Sequence, residues 1–191
     1  MKKFFGHLKT VIVHKHWVFF FARKFNIGWQ GFWHDMSKFS PCEFFESVKY
    51  YSGTRSPIDA CKEDNGYSMA WLHHKGRNKH HYEYWQDDFD KGTKHLDIPK
   101  KYVIEMLCDF LGAGKAYNKD ATFSTEYDWW VHKKVTACAM NENQKRFFDK
   151  AFSYMYTHCG DRNLTSKEIN WKVVSHAIDT IYNRTRSDKC Q

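Results

Sequence analysis

After Pro99, the residues Val103, Met106, Phe110, Ala113 and Tyr117 recur at steps of three and four, the spacing that lays one apolar stripe along a helix. A second such series runs through Ile169, Val173, Val174, Ala177, Ile178 and Ile181. Two segments carry helix-start signals. Ser40-Pro41-Cys42-Glu43 places a capping residue before Pro at the first helical position, with Glu three residues on, and Thr165-Ser166-Lys167-Glu168 repeats the spacing. Alternating strand patterns are nearly absent. The pattern predicts helices over 6–26, 41–51, 67–87, 99–117, 124–139, 142–157 and 165–184, with loops near 52–65, 91–98 and 158–164. With no internal repeat or low-complexity tract, the expectation is one compact all-α bundle over 1–191. Its motif-bearing core spans about 10–135, and helices over about 142–184 pack on it.

Composition narrows the class. The 191 residues are 42% hydrophobic and 27% charged with only 3 Pro and 10 Gly, which excludes disordered, collagen-like and linker-rich chains. The formal charge of +8 favours anionic partners, but the lysines and arginines are scattered. A solvated basic surface is therefore expected in preference to a dedicated nucleic-acid face. Six cysteines without a Cys-x-x-Cys pair suit a reduced, intracellular setting. Met1-Lys2-Lys3-Phe4-Phe5 opens like a signal peptide, but His7, Lys9, His14, Lys15 and His16 interrupt the apolar stretch. The longest clean apolar run, residues 17–22, is too short to span a bilayer. A soluble cytoplasmic protein without membrane partner or targeting segment is the expectation.

Twelve histidines are the feature that asks for an explanation. His34 and Asp35 are adjacent just before the capped helix at Ser40. His73, His74, His80 and His81 lie within nine positions, between Trp71 and Trp85. On a continuous helix, His74, Asn78 and His81 would share one face and His73 and His80 another. Any one of these histidines alone reads as a surface or packing residue. Four together point to a metal, because imidazole is the commonest nitrogen ligand of first-row transition ions, and a mixed His/Asp set suits those ions better than Ca²⁺. Asp109 adds an acid inside an apolar helix, which is costly unless paired or bound to a cation. His14 adds an imidazole to the N-terminal helix, with His16 as its rival.

The order His14, His34-Asp35, His74, His80-His81, Asp109 resembles the HD superfamily of metal-dependent phosphohydrolases, an all-α family with an H…HD…H…H…D series around one or two metals. The two-metal branch is most similar, through His34-Asp35-Met36-Ser37-Lys38 and the tandem His80-His81. Its Gly-Tyr-Pro signature is absent, so a cyclic-di-GMP substrate is not implied. The phrases around His34 to Phe44, Ala70 to Trp85 and Tyr102 to Asp109 resemble, over about residues 10–135, a bacterial and phage family without an assigned activity.

The resemblance implies an HD-domain-like bundle that hydrolyses a phosphoester, with a nucleotide or cyclic nucleotide as the expected small-molecule partner. It implies one or two divalent ions from Mn, Fe, Co, Ni and Zn in preference to Mg. His14, His34, Asp35 and Asp109 would hold one ion, and Asp35 would bridge to a second held by His74, His80 and His81. Metal-activated hydroxide is the implied nucleophile. Lys38 is expected to meet a phosphate oxygen, Lys75 or Arg77 to hold a second phosphate, and Asn78 to orient ligand or substrate. Glu43, Glu83 and Glu105 are candidate acceptors for imidazole N–H groups. The other seven histidines need no metal role. Two competing classes share these features: a di-iron oxygenase on the same scaffold, and a non-catalytic module that stacks nucleic acid or nucleotide on exposed aromatics. Gly112-Ala113-Gly114-Lys115-Ala116 lacks the spacing and the Ser/Thr of a P-loop, and no His-Glu-x-x-His or Gly-x-Ser-x-Gly motif occurs.

Overall fold

A computed structural model describes residues 1–90, 92–136 and 140–187. It bears out the all-α expectation. The helices in chain order are α1 (Lys2–Lys24), α2 (Gly28–Trp33), α3 (Pro41–Tyr50), α4 (Pro57–Asn65), α5 (Met69–Lys75), α6 (Lys100–Tyr117), α7 (Phe123–Thr136), α8 (Glu142–Cys159) and α9 (Trp171–Ser187). A small antiparallel hairpin, β1 (Gln86–Phe89) and β2 (Gly92–His95), pairs Gln86 with His95 and Asp87 with Lys94. Among the described residues no helix is long and apolar enough to cross a membrane.

α6 is the centre of the fold. Val103, Ile104, Met106, Leu107, Cys108 and Leu111 are all buried, so neighbours cover it on more than one side. α1 lies against it through a face of His7, Val11, His14, Val18, Phe21 and Ala22. The approach is close because α6 carries Gly112 at the crossing: a Cβ there would stand 2.5 Å from Val18 Cγ2 and 3.0 Å from Val18 N. On the other side α7 and α8 pack face to face. There Trp130 stacks on Phe152 at 5.6 Å and donates its indole N–H to Asp149 at 2.8 Å. Each of these fully buried aromatics contributes about 2–3 kcal/mol over an exposed one.

The departures from the predicted elements have local causes. The stretch 67–87 is not one helix. α5 ends at Lys75, where Asn78 donates its side-chain amide to the His74 carbonyl at 2.8 Å, and residues 76–81 turn back before a 3₁₀ turn at Tyr82–Trp85. The loop expected over 52–65 contains α4, started by Ser56-Pro57 with Ser56 Oγ accepting from Asp59 N, the same signal that starts α3. Within the loop expected at 91–98, Gly92–His95 forms the second strand of the hairpin. The helix expected from 165 starts at Trp171. The Thr165 hydroxyl donates to Asn163 Oδ1 instead, and Asn170 Oδ1 accepts from Val173 N in the first turn of α9. α1 and α8 extend beyond 6–26 and 142–157 at one end each, to Lys2 and to Cys159. Residues 137–139 of the helix predicted over 124–139 lie outside the described residues, as do Cys138 and Cys190; Cys42, Cys61, Cys108 and Cys159 are free thiols.

Candidate metal centre

Each side chain of the centre is delivered by a different piece of local structure. His14 comes from the buried face of α1. Glu105 and Asp109 stand four residues apart on α6, hence on one face. α2 ends at Trp33, and Asp35 adopts left-handed backbone (φ 56°), which Asp tolerates better than most residues. That bend lets consecutive side chains meet: His34 Nε2 and Asp35 Oδ2 are 3.2 Å apart. His74 lies in the last turn of α5, and the turn after the helix returns His80 and His81 to the same place. The helix break at Lys75, which the periodicity had not suggested, is what assembles the cluster.

Asp35 is 1% exposed and central. Its Oδ2 lies 3.4 Å from His14 Nε2 and 3.2 Å from His34 Nε2, while its Oδ1 lies 3.3 Å from His74 Nε2 and 3.4 Å from His80 Nε2. Asp109 Oδ1 completes the first side, at 3.0 Å from His14 and 3.2 Å from His34. His81 completes the second, its ring 4.2 Å from that of His80. The residues therefore fall into two sets that share Asp35: His14, His34, Asp35 and Asp109, and Asp35, His74, His80 and His81. Of the two candidate imidazoles on α1, His14 joins the cluster and His16 is exposed.

These atoms fit a cation better than they fit one another. The Nε2 atoms of His14, His80 and His81 and Oδ1 of Asp35 are buried without a hydrogen bond, while Asp35 Oδ2 is ion-paired with Lys38. Ligands bonded at about 2.1 Å stand roughly 3.0–3.4 Å apart around an octahedral or tetrahedral ion, and the four His–carboxylate spacings within the first set are 3.0–3.4 Å. The Nδ1 atoms face carboxylates instead. His34 Nδ1 meets Glu105 Oε1 at 3.0 Å, His80 Nδ1 meets the same oxygen at 3.3 Å, and His74 Nδ1 meets Glu43 Oε2 at 2.7 Å. An imidazole that donates its Nδ1 proton this way turns the Nε2 lone pair inward. A buried divalent ion would satisfy the stranded atoms of both sets.

The charges follow from the same contacts. Burial opposes ionisation of Asp35, but His34, Lys38 and His74 outweigh it and hold the carboxyl well below its usual range. Asp109 is lowered against its burial by His14 and His34, and Glu105 is brought to about 2 by His34 and His80. His34 and His74 are raised, burial being outweighed by Asp35 and the surrounding carboxylates. His81 moves the other way, held low by burial and by His80 and His74, so it is a neutral imidazole.

A cavity of about 230 Å³ opens over the centre, with His14, His74, His81, Asp109 and Lys38 at one end and Val11, Pro57, Ile58, Ala70 and Ala113 among its walls. Lys38 Nζ is 2.5 Å from Asp35 Oδ2 and remains about a quarter exposed. Lys75 and Arg77, expected to hold phosphate, do not line the cavity. Lys75 follows the inward-facing His74 around α5, and Arg77 is exposed in the turn. Asn78 does not line it either: its amide donates to Ser37 Oγ at 2.8 Å and to the His74 carbonyl, bracing the ligand loop. Glu43 and Glu105 accept from imidazoles as anticipated, whereas Glu83 is bonded to neither His34, His74 nor His80.

Several contributors have contacts that no sequence spacing predicts. Lys15 Nζ donates to the His34 carbonyl, Gln30 donates to Glu105, Ser37 Oγ bonds Asn78 and His74, and His73 meets Glu43 Oε1 at 2.5 Å. They act across 19 to 75 residues of sequence, so only the tertiary contacts bring them to the site.

Fold and site together define an all-helical protein with a buried His/Asp cluster able to hold metal. The chain belongs to the family described as "Family of unknown function (DUF5662)", which matches residues 3–154 and so takes in every residue of the cluster. No curated protein and no solved structure matches the chain.

Proposed function

We propose that the chain is a metal-dependent phosphohydrolase that cleaves a phosphoester of a small molecule, nucleotides being the first class to test. The observation that carries this reading is Asp35: each of its oxygens faces one ligand set, and beside it Lys38 lines a cavity large enough for a small substrate. The order of the ligands along the chain, which resembles that of the HD phosphohydrolases, supports it. Two bridged divalent ions would supply Lewis acidity toward phosphoryl oxygens and hydroxide at neutral pH. The protein's own groups do the rest. Glu105 and Glu43 hold three imidazoles in the ligating tautomer. Lys38, kept protonated by Asp35 and Asp109 against its burial, presents a cation to a non-bridging oxygen.

The test is elemental analysis of the purified protein, followed by a screen of nucleotides and other phosphoesters with Mn²⁺ or Co²⁺. Two ions per chain and metal-dependent phosphate release are expected, with a loss of more than ~100-fold in Asp35→Ala. Full activity in that variant would overturn the reading. Because a His/carboxylate set with a bridging Asp also suits iron, the screen includes Fe²⁺ with and without O₂. Oxygen-dependent turnover would replace hydrolysis by oxygenation.

A further inference from the structure

A second histidine of α1 belongs to the same cavity, at the end away from the metal ligands. His7 and His14 are seven residues apart on one buried face, about 10 Å along the helix axis, with Val11 between them. Both line the cavity. His7 is 6% exposed, and its Nδ1 is buried without a hydrogen-bond partner. The other buried positions of this face beyond His14 are Val18, Phe21 and Ala22, so a polar ring at position 7 is not what packing alone would select.

The ring is held in place. Phe44 packs at 5.1 Å and Tyr51 at 5.8 Å between centroids. Tyr51 can approach because residue 6 is glycine, where a Cβ would stand 2.5 Å from Tyr51 Cε1, and its hydroxyl is tied to Thr10 Oγ1 at 3.1 Å. Burial, with the charge of Lys38 adding to it, pushes His7 down to about 4. At neutral pH it therefore carries one N–H donor and one lone pair and no charge. Lys38 is the one lysine or arginine among the described residues that line the cavity, and it stands at the metal end. The cavity thus offers cationic help for one phosphate and none for a second anion beside His7.

We propose that His7 is a specificity-determining residue that hydrogen-bonds an uncharged polar group of the substrate, making this the site of a compact monophosphate ester with a neutral, hydroxyl- or amide-bearing far end. The proposal rests on the phosphohydrolase reading for the placement of the phosphate at Asp35. At about 230 Å³ the cavity falls below the usual 300–1,000 Å³ of drug-sized ligands, in keeping with a small ester and against a polymer.

The test compares hexyl phosphate, 6-hydroxyhexyl phosphate and 6-phosphooxyhexanoate, binding to the Zn²⁺-loaded full chain by calorimetry and turnover with Mn²⁺. The wild type should bind the hydroxylated ester about tenfold more tightly than the alkyl ester, and the carboxylate most weakly. His7→Phe should bring the hydroxyl preference close to one, and His7→Gln should restore part of it, both with wild-type metal content. No preference in the wild type, or the same preference in His7→Phe, overturns the assignment. Discrimination by binding without hydrolysis upholds His7 and removes the hydrolase reading. Hydrolysis without discrimination does the reverse, and neither binding nor hydrolysis overturns both.

Discussion

Gly112→Ala probes whether the α1–α6 crossing sets the geometry of the metal centre. The added Cβ would lie 2.5 Å from Val18 Cγ2, 3.0 Å from Val18 N and 3.2 Å from Val18 Cα. Turning the Val18 side chain relieves only the first contact; the other two are backbone, so α1 must move away by roughly 0.5–1 Å in a close-packed interior. Overpacking of this kind costs about 1–3 kcal/mol, and the better helix propensity of Ala returns up to about 1 kcal/mol. The net loss is about 1–2 kcal/mol, or ~2–8 °C in Tm for a chain of this size. The same displacement acts on function, because His14 is one turn before Val18 on α1 and Asp109 is three residues before Gly112 on α6. Their 3.0 Å spacing would open by more than the ~0.2 Å a metal site tolerates. Metal affinity should fall ~10–100-fold, measured by chelator competition, with Tm read by calorimetry on the metal-free protein. Gly28→Ala is the control: its Cβ meets the flexible Arg23 side chain at Cγ, 3.1 Å away, and backbone at ordinary contact distance, Arg23 Cα at 3.8 Å, so both readouts should stay near wild type. A Gly112→Ala protein with unchanged metal affinity would refute the reasoning, because the helix spacing would then not position the ligands.

Further outcomes follow from individual groups. Glu105→Gln keeps the shape but weakens the acceptor for His34 and His80, so metal affinity should drop ~10–100-fold with little change in metal-free Tm; an equal drop in both would mark a packing role. Loading must displace protons from His34 and His74, which are raised in the metal-free protein, so apparent affinity should rise with pH and proton release should appear in calorimetry across buffers of different ionisation enthalpy. Burial alone pushes Glu126 up to about 7. The folded state then holds this proton more tightly than the unfolded state, and stability is lost as pH rises from about 4.5 to 7, by about 3 kcal/mol in all. Glu126→Gln should therefore be more stable than wild type at pH 8 and equal to it near pH 4; a pH-independent difference would exclude burial of this carboxyl as the cause.

Fold class was legible from spacing because a helix that buries one face must repeat its apolar residues at three and four. α3 and α6 begin within a residue of their predicted starts, since Ser40-Pro41 and Pro99 act locally. α4 carries the same local signal at Ser56-Pro57, but its apolar content is too thin for a stripe, so periodicity predicts a loop there. The run from Trp71 to Trp85 misled for the opposite reason. Its aromatics and histidines satisfy a helical period, but Asn78 closes the α5 carbonyls and the imidazoles gain more from the centre than from a continued helix.

What the sequence determined by itself was the inventory: seven His and Asp residues in a telling order, a helical period, and the acids able to orient imidazoles. Its chemistry-bearing pairs were visible only where they were neighbours in the chain, as His34-Asp35 and His80-His81 are. Tertiary structure decided the geometry. It gave each Asp35 oxygen its own ligand set, chose His14 over the exposed His16, and moved Lys75, Arg77 and Asn78 off the cavity. It also gave a place in that cavity to His7, which the sequence alone left without a role. The reason is physical. Helix periodicity encodes which face is buried but not what that face meets. That depends on contacts such as Gly112 against Val18, which set the crossing of two helices nearly a hundred residues apart.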